Sequence, residues 1–225
     1  VNSLKFGQSI AINDWNQTII GSPGAATFDD GAFHIFNRET NGTYSYFEKI
    51  LPPTSGQIGQ FGHDLEVENE FLFVSSPDSS SYSGSVDIFK RESNGSYSFH
   101  QSLNTFASNY DSFGWDLSAS GQYLAVSSLQ AINNKSGKIS IFENNGTNWG
   151  LVDLLHADDN QSNDEFGYAV DLNATRLLAG APKADANGTN SGAAYIFEKN
   201  ASGWYQSTKL SPTGLSAGDE FGYSV

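Results

Sequence analysis

The sequence predicts an all-β protein, a run of β-propeller blades of four antiparallel strands each. Three observations predict it. First, Phe-Gly recurs five times, at Phe6-Gly7, Phe61-Gly62, Phe113-Gly114, Phe166-Gly167 and Phe221-Gly222, with gaps of 55, 52, 53 and 55 residues. A period in this range marks a unit that must stack on its neighbours to bury a shared core. Second, apolar residues between the pairs alternate with polar ones and are rich in β-branched and aromatic types, with no helical stripe of useful length. Third, glycine and asparagine turn signals cut every repeat at the same places.

The first strand of each repeat carries Phe-Gly and then alternates, as in Phe6-Gly-Gln-Ser-Ile-Ala-Ile12. All five Phe are expected to lie packed between sheets. The second strand is the apolar run before Gly21-Ser22-Pro23, Ser75-Ser76-Pro77, Ser127-Ser128-Leu129 or Gly180-Ala181-Pro182. The third follows Gly31, Gly84, Gly137 or Gly192, each with an Ile-Phe pair four residues on. The fourth is aromatic and more polar. It follows Asn41-Gly42, Asn94-Gly95, Asn145-Gly146 or Asn200, and Asn-Gly suits a tight hairpin because both residues accept positive φ. The blades are placed at about 4–52, 59–104, 111–156 and 164–211, with 219–225 as the first strand of a further blade.

Phe-Gly, Gly-Ala-Pro and Gly-x-x-x-Ile-Phe in this order resemble the FG-GAP repeat, the blade of the integrin α-subunit head. The variety in large extracellular proteins is closer still. Residues 164–210 are the cleanest copy, and the third repeat departs most, with Ser127-Ser128-Leu129 in place of Gly-Ala-Pro. The resemblance covers residues 1–225 as a single propeller region. It implies a larger, seven-bladed propeller or repeat array, of which this chain is a piece or a protomer completed by neighbours. It also implies a non-catalytic extracellular module for protein or glycan interaction and adhesion. The alternative is a structural subunit of an extracellular fibre or sheath built from copies of itself.

Composition narrows the choice. Cysteine is absent, which removes disulfides and thiolate metal sites. The net charge of −14 and 11 scattered Lys and Arg argue against nucleic acid as partner. No stretch approaches the roughly 18 apolar residues of a membrane span. Nine Asn-x-Ser/Thr sites occur, at Asn16, Asn41, Asn94, Asn134, Asn145, Asn160, Asn173, Asn187 and Asn200. They favour N-linked glycans and an extracellular or cell-surface location, against the simpler account that Asn-Gly-Ser/Thr is good turn chemistry.

Integrin-type blades often hold calcium in the first hairpin, and Ca²⁺ takes 6–8 oxygen ligands. The matching segments are Asn13–Gln17, Glu68–Glu70, Ser118–Gln122 and Asp171–Thr175. None has the Asp-x-Asp-x-Asp-Gly pattern, so no metal residue carries over and Asp14 is a remnant. Other acids gather before Phe-Gly (Asp111, Asp158, Asp159, Asp164, Glu165, Asp219, Glu220) and after the second strand (Asp29, Asp30, Asp78, Asp185). They leave open calcium by another route, with solvated turn caps as the plainer account. Catalytic signals are poor. His34, His63, His100 and His156 have unrelated positions, there is no nucleophile elbow, and Asp64 and Asp116 read as polar lining more readily than as an acid–base pair. No enzyme activity is expected. The loops holding Asp164, Glu165 and Asp185 are the expected partner face, because the sequons crowd the opposite end.

Overall fold

The computed structural model describes residues 5–24, 31–54, 59–78, 83–104, 111–129 and 136–225. Among these, no helix occurs, and the strands form four antiparallel sheets. The first sheet runs β1 (Ile10–Ile12), β2 (Gln17–Ser22), β3 (Ala32–Arg38), β4 (Tyr44–Ile50). The second runs β5 (Leu65–Glu68), β6 (Phe71–Ser76), β7 (Ser85–Arg91), β8 (Tyr97–Leu103). The third runs β9 (Phe113–Ser120), β10 (Tyr123–Ser128), β11 (Lys138–Asn144), β12 (Trp149–Leu155). The fourth runs β13 (Val170–Asn173), β14 (Arg176–Ala181), β15 (Ala193–Asn200), β16 (Gly203–Leu210). Strand order in each follows the chain, so these are meanders of the kind that make propeller blades.

The sheets fall into two compact units, Val1–Asn109 and Tyr110–Val225. In the first unit, Phe33 and Ile35 of β3 pack with Phe61, Leu65, Leu72, Val74 and Phe89 of the second sheet. In the second, Ala125, Ile139 and Ile141 pack with Phe166, Val170, Leu172, Phe197 and Trp204. Each core thus lies between two sheets, which is why a single repeat would have nowhere to bury its apolar face.

The repeated marks have distinct physical jobs. The Ile-Phe pairs sit at a register shift between the third and fourth strands in all four sheets: Ile35/Phe36, Ile88/Phe89, Ile141/Phe142 and Ile196/Phe197. Such a bulge leaves one residue of the fourth strand unpaired and sharpens the twist. The second-strand glycine is a contact point. A Cβ on Gly21 would overlap the Gly62 carbonyl of the next sheet, and one on Gly180 would overlap the Gly222 carbonyl. In the second and third sheets Ser75 and Ser127 stand there, and their hydroxyls accept from Asp64 N (2.9 Å) and Asp116 N (3.0 Å).

Two expectations need correction. Phe61, Phe113 and Phe166 are buried, but Phe6 is 56% exposed and Phe221 is only half-buried. Phe61 and Phe166 are covered by the sheet before them in the same unit, and among the described residues no sheet covers Phe6. Residues 219–225 form no strand. Phe221 instead makes an isolated parallel bridge to Gly192, as Phe61 does to Gly31, so this Phe pairs with the glycine before the third strand of the preceding sheet. Phe-Gly therefore precedes the first strand in three sheets and enters it only in β9.

Candidate functional site

Antiparallel order puts the β1–β2 and β3–β4 turns at one end of the first sheet and the β2–β3 loop at the other, and the same holds in each sheet. Asn41, Asn94, Asn145 and Asn200 sit at the turn between third and fourth strands, all exposed. Their side-chain carbonyls accept the backbone N–H two residues on, at Thr43 (2.9 Å), Ser96 (2.9 Å), Thr147 (2.9 Å) and Ser202 (2.7 Å). This Asx geometry closes the turn and leaves Nδ2 directed away from it. Asn16 and Asn173, in the first hairpins, are also exposed, and Asn173 caps Thr175 and Arg176 the same way.

Asn187 is exposed at the other end, where its Nδ2 donates to the Pro212 carbonyl at 3.3 Å. Asn160 is half-buried, and its Nδ2 donates to the Gly137 carbonyl at 3.3 Å. A glycan there would have to break that bond. Asn134, Asp29 and Asp30 lie outside the described residues.

The acidic loops of the second unit converge. Asp159, in the turn after β12, accepts from the Tyr195 hydroxyl at 2.9 Å and pairs with Lys209 at 2.5 Å. Burial alone would raise its pKa, but Lys209 and Tyr195 hold it below the usual carboxylate value. Tyr195 is pushed far up, by burial first and by Asp159 second. Asp164 is buried, with its carboxylate accepting Gln161 N at 2.9 Å; burial and then the nearby Asp159 and Asp185 raise its pKa. Asp164 therefore holds the loop, while half-buried Glu165 and exposed Asp185 reach solvent. Asp185 also accepts Asn190 N at 2.7 Å, which braces the β14–β15 loop. Lys183 pairs with Glu220 beside it. Tyr168 stacks between Trp115 (5.8 Å) and Tyr223 (4.7 Å), and burial plus Tyr223 push its pKa up to about 12.

Asp64 and Asp116, weighed as an acid–base pair, are engaged with backbone. Asp64 accepts Leu65 N at 2.9 Å, and Asp116 accepts Val170 N of the next sheet at 2.7 Å. His34 meets Phe6 edge-on at 5.3 Å, and burial and then Lys49 lower its pKa. In the first hairpin Asn13 caps Trp15 N and Gln17 N at 3.0 Å each, so a side-chain amide closes the turn where a calcium loop would gather carboxylates. Among the described residues no group of three or more His, Asp or Glu is placed to hold a metal ion. No helix there is long and apolar enough to cross a membrane.

Two features escaped sequence reasoning. The residue before every Phe-Gly (Lys5, Gln60, Ser112, Glu165, Glu220) has φ between 44° and 60°, and the Gly after each Phe has φ between 84° and 89°. None of these five is a Gly, Asn, Asp or His, the types that favour the left-handed region, so composition gave no hint. The second feature is the clasp at Asp116 and Ser118, which accept Val170 N (2.7 Å) and Leu172 N (3.0 Å) of the neighbouring sheet. A polar alternation within one strand does not say which sheet it serves.

Four-stranded meanders stacked in pairs within each unit, with loops at two chemically different ends, define a propeller-type repeat protein. Residues 149–197 match the FG-GAP repeat model, from the fourth strand of the third sheet to the third strand of the fourth. That segment is thus similar to one FG-GAP repeat, and Phe-Gly, the glycine before the third strand and the Ile-Phe pair recur in the same order in the other sheets. A similar solved structure is that of a protein from Lactobacillus plantarum, 8% identical, with a TM-score of 0.59 over 93% of this chain. The chain spans 57% of that structure's length. No curated protein matches the chain.

Proposed function

We propose that this chain is a non-catalytic, extracellular, N-glycosylated repeat module that binds a protein or glycan partner. The contact would use the loop end of the second unit that carries Glu165 and Asp185. One observation carries the reading: in each sheet the third-to-fourth-strand turn bears an exposed sequon, while the opposite end of the fourth sheet bears long acidic loops. Glycans are bulky and solvated, so a sugar-bearing end makes a poor contact surface. Loops held by a rigid scaffold are where binding concentrates. FG-GAP repeats being commonly extracellular supports the location.

Glycopeptide mapping after expression through a eukaryotic secretory pathway tests the premise. Occupancy at Asn41, Asn94, Asn145 and Asn200 is the expected result, and unmodified asparagines at these four would overturn it. The loop assignment is tested on a glycan array and by pull-down of cell-surface proteins. Glu165→Lys with Asp185→Lys should abolish captured binding, whereas Asn41→Gln with Asn94→Gln should leave it intact. A second reading, an extracellular fibre or sheath subunit, is favoured by the backbone seat that recurs in both units, Gly21 against the Gly62 carbonyl and Gly180 against the Gly222 carbonyl.

A further inference from the structure

Asn-Gly occurs four times, at Asn41-Gly42, Asn94-Gly95, Asn145-Gly146 and Asn187-Gly188. The pair is chemically fragile. Its glycine has no side chain to shield the backbone nitrogen, which can attack the asparagine Cγ and close a five-membered imide. Attack requires that nitrogen to be free to shed its proton and the side-chain amide to be free to swing toward it. All four asparagines are exposed, so solvent access does not rank them. Hydrogen bonding does.

In the three turns between third and fourth strands both groups are held. Gly42 N–H donates to the Glu39 carbonyl at 2.9 Å, and Gly95 N–H donates to the Glu92 carbonyl at 3.0 Å. Gly146 N–H donates to Asn144 Oδ1 at 2.8 Å. The three asparagine Oδ1 atoms accept Thr43 N, Ser96 N and Thr147 N, as described above. The β14–β15 loop differs. Among the described residues Gly188 N–H donates to no group and Asn187 Oδ1 accepts from none. Asn187 keeps two bonds, its N–H to Ser191 Oγ at 2.8 Å and its Nδ2 to the Pro212 carbonyl at 3.3 Å. The second is at the weak end of the range and ties the nitrogen that would leave, not the carbon under attack. The segment after the fourth sheet already packs here, with Gly218 N–H on the Thr189 carbonyl at 3.0 Å, and it leaves Gly188 N–H open.

We propose that Asn187 is a deamidation site, selected by the fold from four pairs that the sequence makes alike. Hydroxide takes the Gly188 N–H proton, the nitrogen bonds to Asn187 Cγ, and the Cγ–Nδ2 bond breaks to release ammonia. Water then opens the succinimide at either carbonyl and leaves aspartate or isoaspartate at position 187. One water is consumed and one ammonia released, with no change of oxidation state. The product loses the bond to Pro212 and sets a new carboxylate two residues from Asp185, in the loop assigned above to partner contact. It also removes the Nδ2 that a glycan at this sequon would use. The modification goes beyond the binding reading and does not rest on it, since the chemistry needs only water.

The test is peptide mapping by mass spectrometry of the unglycosylated 225-residue chain, held at mildly alkaline pH and sampled over time. Replacing NH₂ by OH adds one mass unit, and chromatography separates isoaspartate from aspartate. The Asn187 peptide should convert at least tenfold faster than the peptides of Asn41, Asn94 and Asn145. In guanidinium chloride the four rates should converge, because the fold supplies the difference. A second variant isolates the cause. Asn144→Ala removes the acceptor of Gly146 N–H, so Asn145 should react several-fold faster in the folded chain, relative to its own rate in denaturant. Asn41 and Asn94 should stay slow in that variant, which shows that it remains folded. Equal rates at all four sites of the folded chain overturn the proposal, and so does a faster site among the three turns. A ranking that persists in denaturant overturns it as well, since flanking residues would then set the order. No acceleration at Asn145 in Asn144→Ala would overturn the selection by a free glycine N–H.

Discussion

The junction between the first two sheets and that between the last two perform the same task with different chemistry. At the outer corner of the first, neutral amides make the seal. Asn13 donates to the Tyr97 hydroxyl at 3.0 Å, Gln17 donates to the Gly95 carbonyl at 2.9 Å, and Arg91 lies over the Trp15 ring. At the corresponding corner of the second, Trp204 meets Tyr123 edge-on at 5.9 Å and Lys199 lies over the same Tyr123. The seam itself differs too. Ser9 donates to the Gly62 carbonyl at 3.0 Å in the first unit, whereas Asp116 accepts Val170 N and Asp153 accepts Trp204 N in the second. Backbone contacts at glycine are shared by both units, and the side chains around them are free to vary. The repeat therefore specifies a spacing, and each pair of sheets fills that spacing in its own way.

The largest expected effect probes what the two junctions share. A Cβ on Gly31 would overlap the Phe61 carbonyl, and one on Gly137 would overlap the Phe166 carbonyl; both glycines also have positive φ. Gly31→Ala and Gly137→Ala should each cost about 3 kcal/mol or more, combining backbone overlap with conformational strain. Gly146→Ala, with positive φ but nothing within 4 Å, should cost about 1 kcal/mol, from conformation alone. Urea unfolding separates the cases, and equal losses at all three would show that close approach is not the shared constraint.

A smaller effect probes where the junctions differ. Asp116→Ala removes an ionised acceptor from Val170 N and should destabilise the second unit by about 2 kcal/mol. Ser9→Ala removes a neutral bond in the first unit and should cost about 1 kcal/mol. Peptide-resolved hydrogen exchange assigns each loss to its unit. If Ser9→Ala loosened the second unit instead, the division of labour would fail.

The smallest effect is the pH response, which should have opposite signs in the two units. Asp159 has a lowered pKa, so its contribution is present above the unfolded value and lost as pH falls through the folded one. Asp87, buried in β7 with Ser102 donating to it, has a raised pKa, chiefly from burial. Its ionisation costs stability at neutral pH, and that cost is relieved as pH falls through its folded value. Asp164 acts in the same sense as Asp87 but within the second unit, so Asp159→Asn is needed to isolate the loss. Thermal melts between pH 7 and pH 3 should show Asp159→Asn flattening the acid loss of the second unit. Asp87→Asn should flatten the acid gain of the first.

Much of this architecture was legible because it is periodic. Phe-Gly, the third-strand glycine and the Ile-Phe pair each recur in register, and repetition turns weak local signals into a strong one. The sequence could show that Ile-Phe mattered but not why, since a bulge depends on how the facing strand is paired. Phe6 was misplaced because burial belongs to the neighbouring sheet and not to the residue. Asp164 looked like a surface acid, yet its carboxylate is turned onto Gln161 N. Whether an acid faces solvent or caps its own loop depends on backbone dihedrals, and the positive φ at Glu165, unlike that at Asn163, left no trace in residue type.

The glycine seat bears on how such a chain can grow. Within each unit a repeat carries a backbone socket for the Phe-Gly tongue that comes after it. Recognition runs through carbonyl oxygens and missing side chains, so a tandem duplication of the encoding DNA yields a segment already matched to both neighbours. No new interface has to evolve first, and drift in the flanking side chains can follow the copying event. Length in such a gene is then limited by what the organism selects for and by faithful replication of near-identical DNA.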